Sequence, residues 1–201
     1  MIKEKQFKIE SCETVFSGFL KLERYRLRHT SFLGGWCEPV TRERLEGLRA
    51  VAVLPYDPRS DSLVLVEQFR VGPLDTPEQA WVLDVIGGYW EPGERAEDVA
   101  RRECLEEAGC EVLDLVRIGE FLVSPGISSE RVALFCARVD APLSGSVHGL
   151  AHEGEQTRVE VVSLEEADAA LFGRINATTA LITIQWLLRH RNEVRRRWGL
   201  T

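Results

Sequence analysis

The sequence predicts an α+β fold in which a β-rich N-terminal region, residues 1–45, precedes a larger domain of strands and helices, residues 46–201. Three observations lead there. Apolar and polar residues alternate in short segments before about Arg44, as half-buried strands require. Two β-rich apolar runs, 50–54 and 62–69, flank the turn sequence Pro55-Tyr56-Asp57-Pro58. Two stretches, 95–108 and 177 to about 196, read as helices, the first closed by Gly109 where a helix end favours glycine.

In chain order, the segment from Leu20 to Arg28 alternates and the Leu33-Gly34-Gly35 turn follows it, so the N-terminal region should be an antiparallel sheet. It carries too little apolar content for a core of its own, and is expected to pack on the rest of the chain or on a partner. The runs 50–54 and 62–69 should be central strands of a hairpin. A further strand is expected at 81–86, then the acid-rich helix, then strands at 113–123 and 131–139. Residues 144–156 are glycine-rich and polar, with His148, His152, Glu153 and Glu155 in no regular period, which describes a long loop of the kind that often carries function. A strand at 159–162, a short helix at 164–171 begun by Ser163, and the terminal amphipathic helix complete the chain. Arg189, Arg191, Arg195, Arg196 and Arg197 crowd the end of that helix, where cations complement the helix dipole, and a structural role is expected of them.

The 201 residues suffice for one domain with a full core, or for one domain and a small appended element. A formal charge of −7 argues against a nucleic-acid-binding surface; a polyanionic substrate must be met locally, by arginines and a metal. Cys12, Cys37, Cys104, Cys110 and Cys136 are odd in number and contain no C-x-x-C pair, so reduced thiols are expected instead of a disulfide framework or a zinc site. The first residues lack the apolar core of a signal peptide and no apolar run approaches a membrane span, so a cytoplasmic protein without membrane contact is expected.

The most informative feature lies between the third strand of the larger domain and the end of its first helix. Gly88, Glu94, Arg102, Glu103, Glu106, Glu107 and Gly109 follow the order G-x5-E-x7-R-E-x-x-E-E-x-G. Residues three and four apart on a helix are neighbours, so Glu103, Glu106 and Glu107 share a face and repel one another. A solvated acidic surface would leave that repulsion without return, whereas a hard cation would relieve it, and Mg²⁺ is commonly bound by one or two carboxylates together with substrate phosphates. Arg102 and Glu94 are expected to pair with each other and to fix helix against loop.

This stretch resembles the Nudix box, whose pattern ends in R-E-U-x-E-E-x-G-U with U aliphatic. All seven fixed letters match; Cys104 and Cys110 stand at aliphatic positions, where a free thiol packs as a small hydrophobe. The similarity extends over nearly the whole chain to the bacterial ADP-ribose pyrophosphatase branch of the Nudix hydrolases. Ser17-Gly18-Phe19-Leu20, Val66-Glu67-Gln68-Phe69-Arg70, Ser124-Pro125-Gly126 and His148-Gly149-Leu150-Ala151 carry it, with Pro125 sixteen residues after Gly109 as the mark of the branch. The resemblance implies a mixed β-sheet sandwiched between helices and a homodimer whose N-terminal β region crosses to the partner. It implies that Glu103 and Glu107, helped by Glu106 and the backbone carbonyl of Gly87, hold Mg²⁺, with Mn²⁺ as a substitute. Glu153, or its neighbour Glu155, would be the general base, with Phe19 stacking on adenine, Arg42 and Arg70 contacting phosphate or the terminal ribose, and Glu130 binding sugar hydroxyls. The implied reaction is hydrolysis of ADP-ribose to AMP and ribose 5-phosphate. Two alternatives stand beside it: a pyrophosphatase for another nucleoside diphosphate sugar such as GDP-mannose, and a sensor that binds ADP-ribose without cleaving it.

Overall fold

The computed structural model describes residues 4–90, 93–150, 152 and 154–200. Glu91 and Pro92, of the loop before the acid-rich helix, and Glu153, the expected base, lie outside the described residues. The chain separates into two compact units, residues 1–49 with 121–131, and residues 50–120 with 132–201.

The first unit is a three-stranded antiparallel sheet of β1 (Phe7–Ser17), β2 (Lys21–His29) and β3 (Val40–Glu46), in that order. The expected alternation does not appear as burial: in β2 only Glu23 is buried and the other residues are half-buried or exposed, while β1 is exposed along its whole length, including Phe7, Ile9, Val15 and Phe16. Two register irregularities, between Ile9 and Ser11 and between Thr14 and Phe16, interrupt the β1–β2 ladder. Charges tie the strands together: Arg24 bridges Glu13 on β1 and Glu43 on β3, and Arg44 reaches Glu23 on β2.

The second unit is built on an eight-stranded sheet. Its main path joins β10 (Val147–His148), β11 (Thr157–Ser163), β5 (Ser62–Phe69), β4 (Arg49–Asp57), β9 (Arg131–Arg138) and β8 (Asp114–Leu122) in that order. The expected hairpin forms, but β4 continues through Pro55 to Asp57, because the fully buried Tyr56 pairs with Leu63 and Asp57 with Ser62. Residues 81–86 make two short strands with different partners instead of one. β6 (Trp81–Asp84) pairs with β5, and β7 (Ile86–Tyr89) pairs with β4. The exchange of partner at Val85 fills the space where β4 and β5 diverge, and it brings Gly87 and Gly88 into the sheet.

Side chains of alternate parity point to opposite faces of a strand. Val51, Val53, Val64, Val66, Ala133, Phe135, Ala137 and Val159 form one face and pack with Val99, Ala100, Cys104 and Ala108 of α1 (Ala96–Ala108). Leu54, Tyr56, Leu63, Leu65, Leu134 and Cys136 have the other parity and are equally buried. On that side lie α2 (Leu164–Ala170) and α3 (Thr178–Arg197), with Tyr56 against Trp198 and bonded to Asp61, which Arg191 of α3 grips. A sheet covered on both faces needs strands that are apolar throughout, which is why β4 and β5 read as continuous apolar runs.

Helix ends account for much of the remaining polar structure. α2 starts with a capping box, Ser163 Oγ accepting from Glu166 N while the Glu166 carboxylate accepts from Ser163 N. α3 has Ala177 at its N-cap and no cap from its own side chains; instead Asp84 of β6 accepts from Thr179 Oγ1 at 2.8 Å. The arginines near the end of α3 act by specific pairing as well as through the dipole: Arg191 grips Asp61, Arg195 donates to Pro58 O and Arg197 lies 3.6 Å from Asp114.

Candidate active site

Glu103, Glu106 and Glu107 lie on α1, as expected, and Gly109 ends that helix in the left-handed region at φ 62°, its N–H bonded to Leu105 O. A Cβ there would meet the His148 ring at 2.7 Å, so glycine serves both the backbone angle and the packing of the following loop. Two of the three acids on the shared face are withdrawn from solvent, and Glu106 is half-buried. Glu103 is buried, and Glu107 is 1% exposed.

Burial governs the electrostatics. Removal from water pushes the Glu107 carboxyl up to about 8; the Gly87 N–H opposes this, while the charges of Glu155 and Glu103 add to it. Glu103 is likewise raised, first by burial, against the pull of Arg102 and with the push of Glu106 and Glu155. Glu107 Oε2 accepts from Gly87 N at 3.1 Å, whereas Oε1 is buried with no hydrogen-bond partner among the described residues. Such an orphaned carboxylate oxygen costs free energy unless something positive or protic meets it.

Arg102 organises the outer side of the cluster. Its Nη1 lies 2.8 Å from Glu103 Oε1 and 3.0 Å from Glu106 Oε2, closer than the 3.9 Å that separates its Nε from Glu94 Oε1. The expected Arg102–Glu94 pair is therefore the longest of three, because Glu103 and Glu106 sit on the arginine's own helix, one residue and one turn away. Glu94 is held through its backbone, its carbonyl accepting from Trp90 Nε1 at 2.7 Å. Among the described residues no three His, Cys, Asp or Glu side chains close around a single point. The donors nevertheless suit a hard cation: carboxylate oxygens, one of them orphaned and buried, in a cradle kept open by Gly88, where a Cβ would fall 1.9 Å from Glu103 Oε1.

The loop of residues 144–156 is fastened to the end of α1. Gly149 N donates to Glu106 O at 3.1 Å, and Thr157 Oγ1 donates to Glu107 O at 2.7 Å, so two of the carbonyls that a helix end leaves unpaired are satisfied by the residue after β10 and by the first residue of β11. Glu155 thereby enters the cluster, close enough to influence both Glu103 and Glu107, and its Oε1 accepts from Gln68 Nε2 at 2.6 Å. Arg70, one residue past β5, lies near enough to favour the ionised form of Glu107.

The family model described as NUDIX domain matches residues 47–181, which span Gly88 to Gly109, Arg70 and Glu155. The chain belongs to the Nudix family. ADP-ribose pyrophosphatase of Escherichia coli strain K12 is 42% identical over 188 residues, covering 93% of this chain and 90% of that protein. The enzyme of the same name from Haemophilus influenzae is 40% identical over 190 residues, covering 92% and 88%. A solved structure titled as an ADP compounds hydrolase superposes with a TM-score of 0.69 over 98% of this chain and 97% of its own, at 19% identity, and so attests the fold. This Nudix protein is a hydrolase acting on a diphosphate bond.

Other expected substrate residues fall in the first unit. Phe19 is 83% exposed, Arg42 is exposed with Nη1 bonded to Thr41 O, and Glu130 is half-buried with its N–H on Ser128 Oγ. Two residues that bond to the Nudix site were not singled out from the sequence, Gln68 and Thr157. The signal available for Gln68 was its parity: it follows Val64 and Val66 on the inward face of β5, where a polar side chain needs a reason.

Proposed function

We propose that this protein hydrolyses ADP-ribose to AMP and ribose 5-phosphate, with a divalent cation, Mg²⁺ or in its place Mn²⁺, held by Glu103, Glu106, Glu107 and the carbonyl of Gly87. One observation carries the reading: a buried carboxylate, Glu107, keeps an orphaned oxygen inside a cluster of like charges. The cation would neutralise the diphosphate and acidify a water molecule. The chain's own residues do the rest. Gly87 N–H and the Arg102 guanidinium fix the carboxylates of Glu107, Glu103 and Glu106. A carboxylate of the late loop, Glu153 or Glu155, accepts the proton of the attacking water as its oxygen bonds to phosphorus and the bridging P–O bond breaks. Arg70 meets the phosphates. Phe19, Arg42 and Glu130 are assigned to the adenine, the phosphates or terminal ribose, and the sugar hydroxyls by the family resemblance.

We further propose that the protein is a homodimer assembled through its N-terminal β region, since β1 leaves Phe7, Ile9, Val15 and Phe16 exposed along one strand. No helix among the described residues is long and apolar enough to cross a membrane.

The test is Mg²⁺-dependent release of AMP from ADP-ribose, beside GDP-mannose, NADH and diadenosine polyphosphates, with Glu107→Gln alongside. Selective turnover of ADP-ribose is expected, falling by at least about 100-fold in the variant, with the melting temperature retained. Preference for GDP-mannose would move the assignment to another nucleoside diphosphate sugar, and tight ADP-ribose binding without turnover would favour a sensor.

A further inference from the structure

Gln68 is a costly residue where it stands. On β5 it shares the inward parity of Val64 and Val66, and it is 8% exposed. Its Nε2 donates to Glu155 Oε1 at 2.6 Å, while its Oε1 is buried with no partner among the described residues. The orientation of the amide follows from chemistry, because an ionised carboxylate only accepts, and turning the amide would set oxygen against oxygen. A buried polar atom left unpaired is destabilising, so an apolar side chain continuing the strand's pattern would serve stability better. The benefit of the amide must lie in what it holds.

What it holds is at the centre of the site. Gln68 pairs across the sheet with Thr157 of β11. Thr157 is fully buried and its hydroxyl bonds to the carbonyl of Glu107, in the last turn of α1. One rung of the β5–β11 ladder thus grips the end of the acid-bearing helix through Thr157 and the late loop's carboxylate through Gln68. The charge of Glu155, held there, is felt by both Glu103 and Glu107.

We propose that Gln68 is a positioning residue for the hydrolysis, its amide N–H fixing the Glu155 carboxylate against the acid cluster of α1. This assignment rests on the diphosphate chemistry proposed above. Gln68 transfers no proton and touches no reacting atom; it acts through Glu155.

The experiment is a double-mutant cycle on the full chain with Mg²⁺ and ADP-ribose, measuring kcat, KM and melting temperature for the wild type, Gln68→Met, Glu155→Gln and the double variant. Methionine matches the length of glutamine and removes the donor without opening a cavity. The expected result is a kcat lowered by about 10–100-fold in Gln68→Met, with KM changed by less than about 3-fold, and no further loss when the substitution is added to Glu155→Gln. If Gln68→Met does not fold, Gln68→Glu, which keeps the shape and sets a like charge against Glu155, takes its place in the same cycle. A wild-type kcat in the Gln68 variant, a wild-type kcat in Glu155→Gln, or equal losses in both backgrounds would each overturn the positioning role while leaving the hydrolase reading intact. Failure of the wild-type protein to release AMP from ADP-ribose would instead overturn that reading, and the assignment with it.

Discussion

At the scale of single residues, Gly88 sets how closely β7 can approach the acids of α1. A Cβ at this position would lie 1.9 Å from Glu103 Oε1, so Gly88→Ala must displace a carboxylate or the strand. Overpacking of this kind costs about 1–3 kcal/mol. A misplacement near 1 Å in a catalytic group can cost about 100-fold in rate. Gly88→Ala is therefore expected to fold with a lowered melting temperature and to lose at least about 10-fold in kcat; a full rate in the alanine variant would mean that the position of Glu103 is immaterial. The motif spacing placed Glu103 on the helix and Gly109 at its end. The reason for Gly88 was hidden, because it depends on a carboxylate fifteen residues away in sequence. Equally hidden was the depth of Glu107, since charge pattern alone does not separate an acid on a wet surface from one sealed under a loop.

At the scale of elements, helix termini divide into those read locally and those completed at a distance. The α2 start was legible at Ser163, whose box partner Glu166 is three residues on. The α3 start was not, because its acceptor, Asp84, arrives from β6. The turn between β4 and β5 is tied to α3 in the same long-range manner. Asp61, in the left-handed region at φ 54°, accepts from Arg191 Nε at 2.8 Å and Nη2 at 2.7 Å. Burial alone would push the Asp61 carboxyl up, but the Arg191 guanidinium and the Tyr56 hydroxyl outweigh it and hold the group below its ordinary value. A depressed carboxylate contributes stability that is present above its unfolded value, about 3.9, and is lost as pH falls through the folded value. Asp61→Asn tolerates the same backbone angle. At neutral pH it should cost about 1 kcal/mol, with the partial exposure of the pair taken into account. Urea titrations should show this difference at pH 7 and its disappearance as the pH drops below about 3.9; a difference that persists in acid would assign the effect to shape instead of charge.

At the scale of the whole molecule, the proposed assembly gives the exposed face of β1 a purpose. Sedimentation equilibrium is expected to return twice the chain mass of 22.7 kDa, and Phe16→Asp to shift the protein toward the monomer. A wild-type monomer at micromolar concentration would remove the dimer from the account. The sequence by itself determined the order of strands and helices in most of the chain, the two-sided burial of β4 and β5, the helix bearing Glu103, Glu106 and Glu107, and the family that this spacing marks. These properties are encoded in periodicity and in caps close along the chain. Only the tertiary structure decided that residues 81–86 divide between two partner strands, that Arg102 favours Glu103 and Glu106 over Glu94, and that Gln68 and Thr157 bind the late loop to the end of α1. Each of these depends on which distant groups meet in a shared interior, where burial and the pairing of polar atoms are settled by neighbours that no local pattern names.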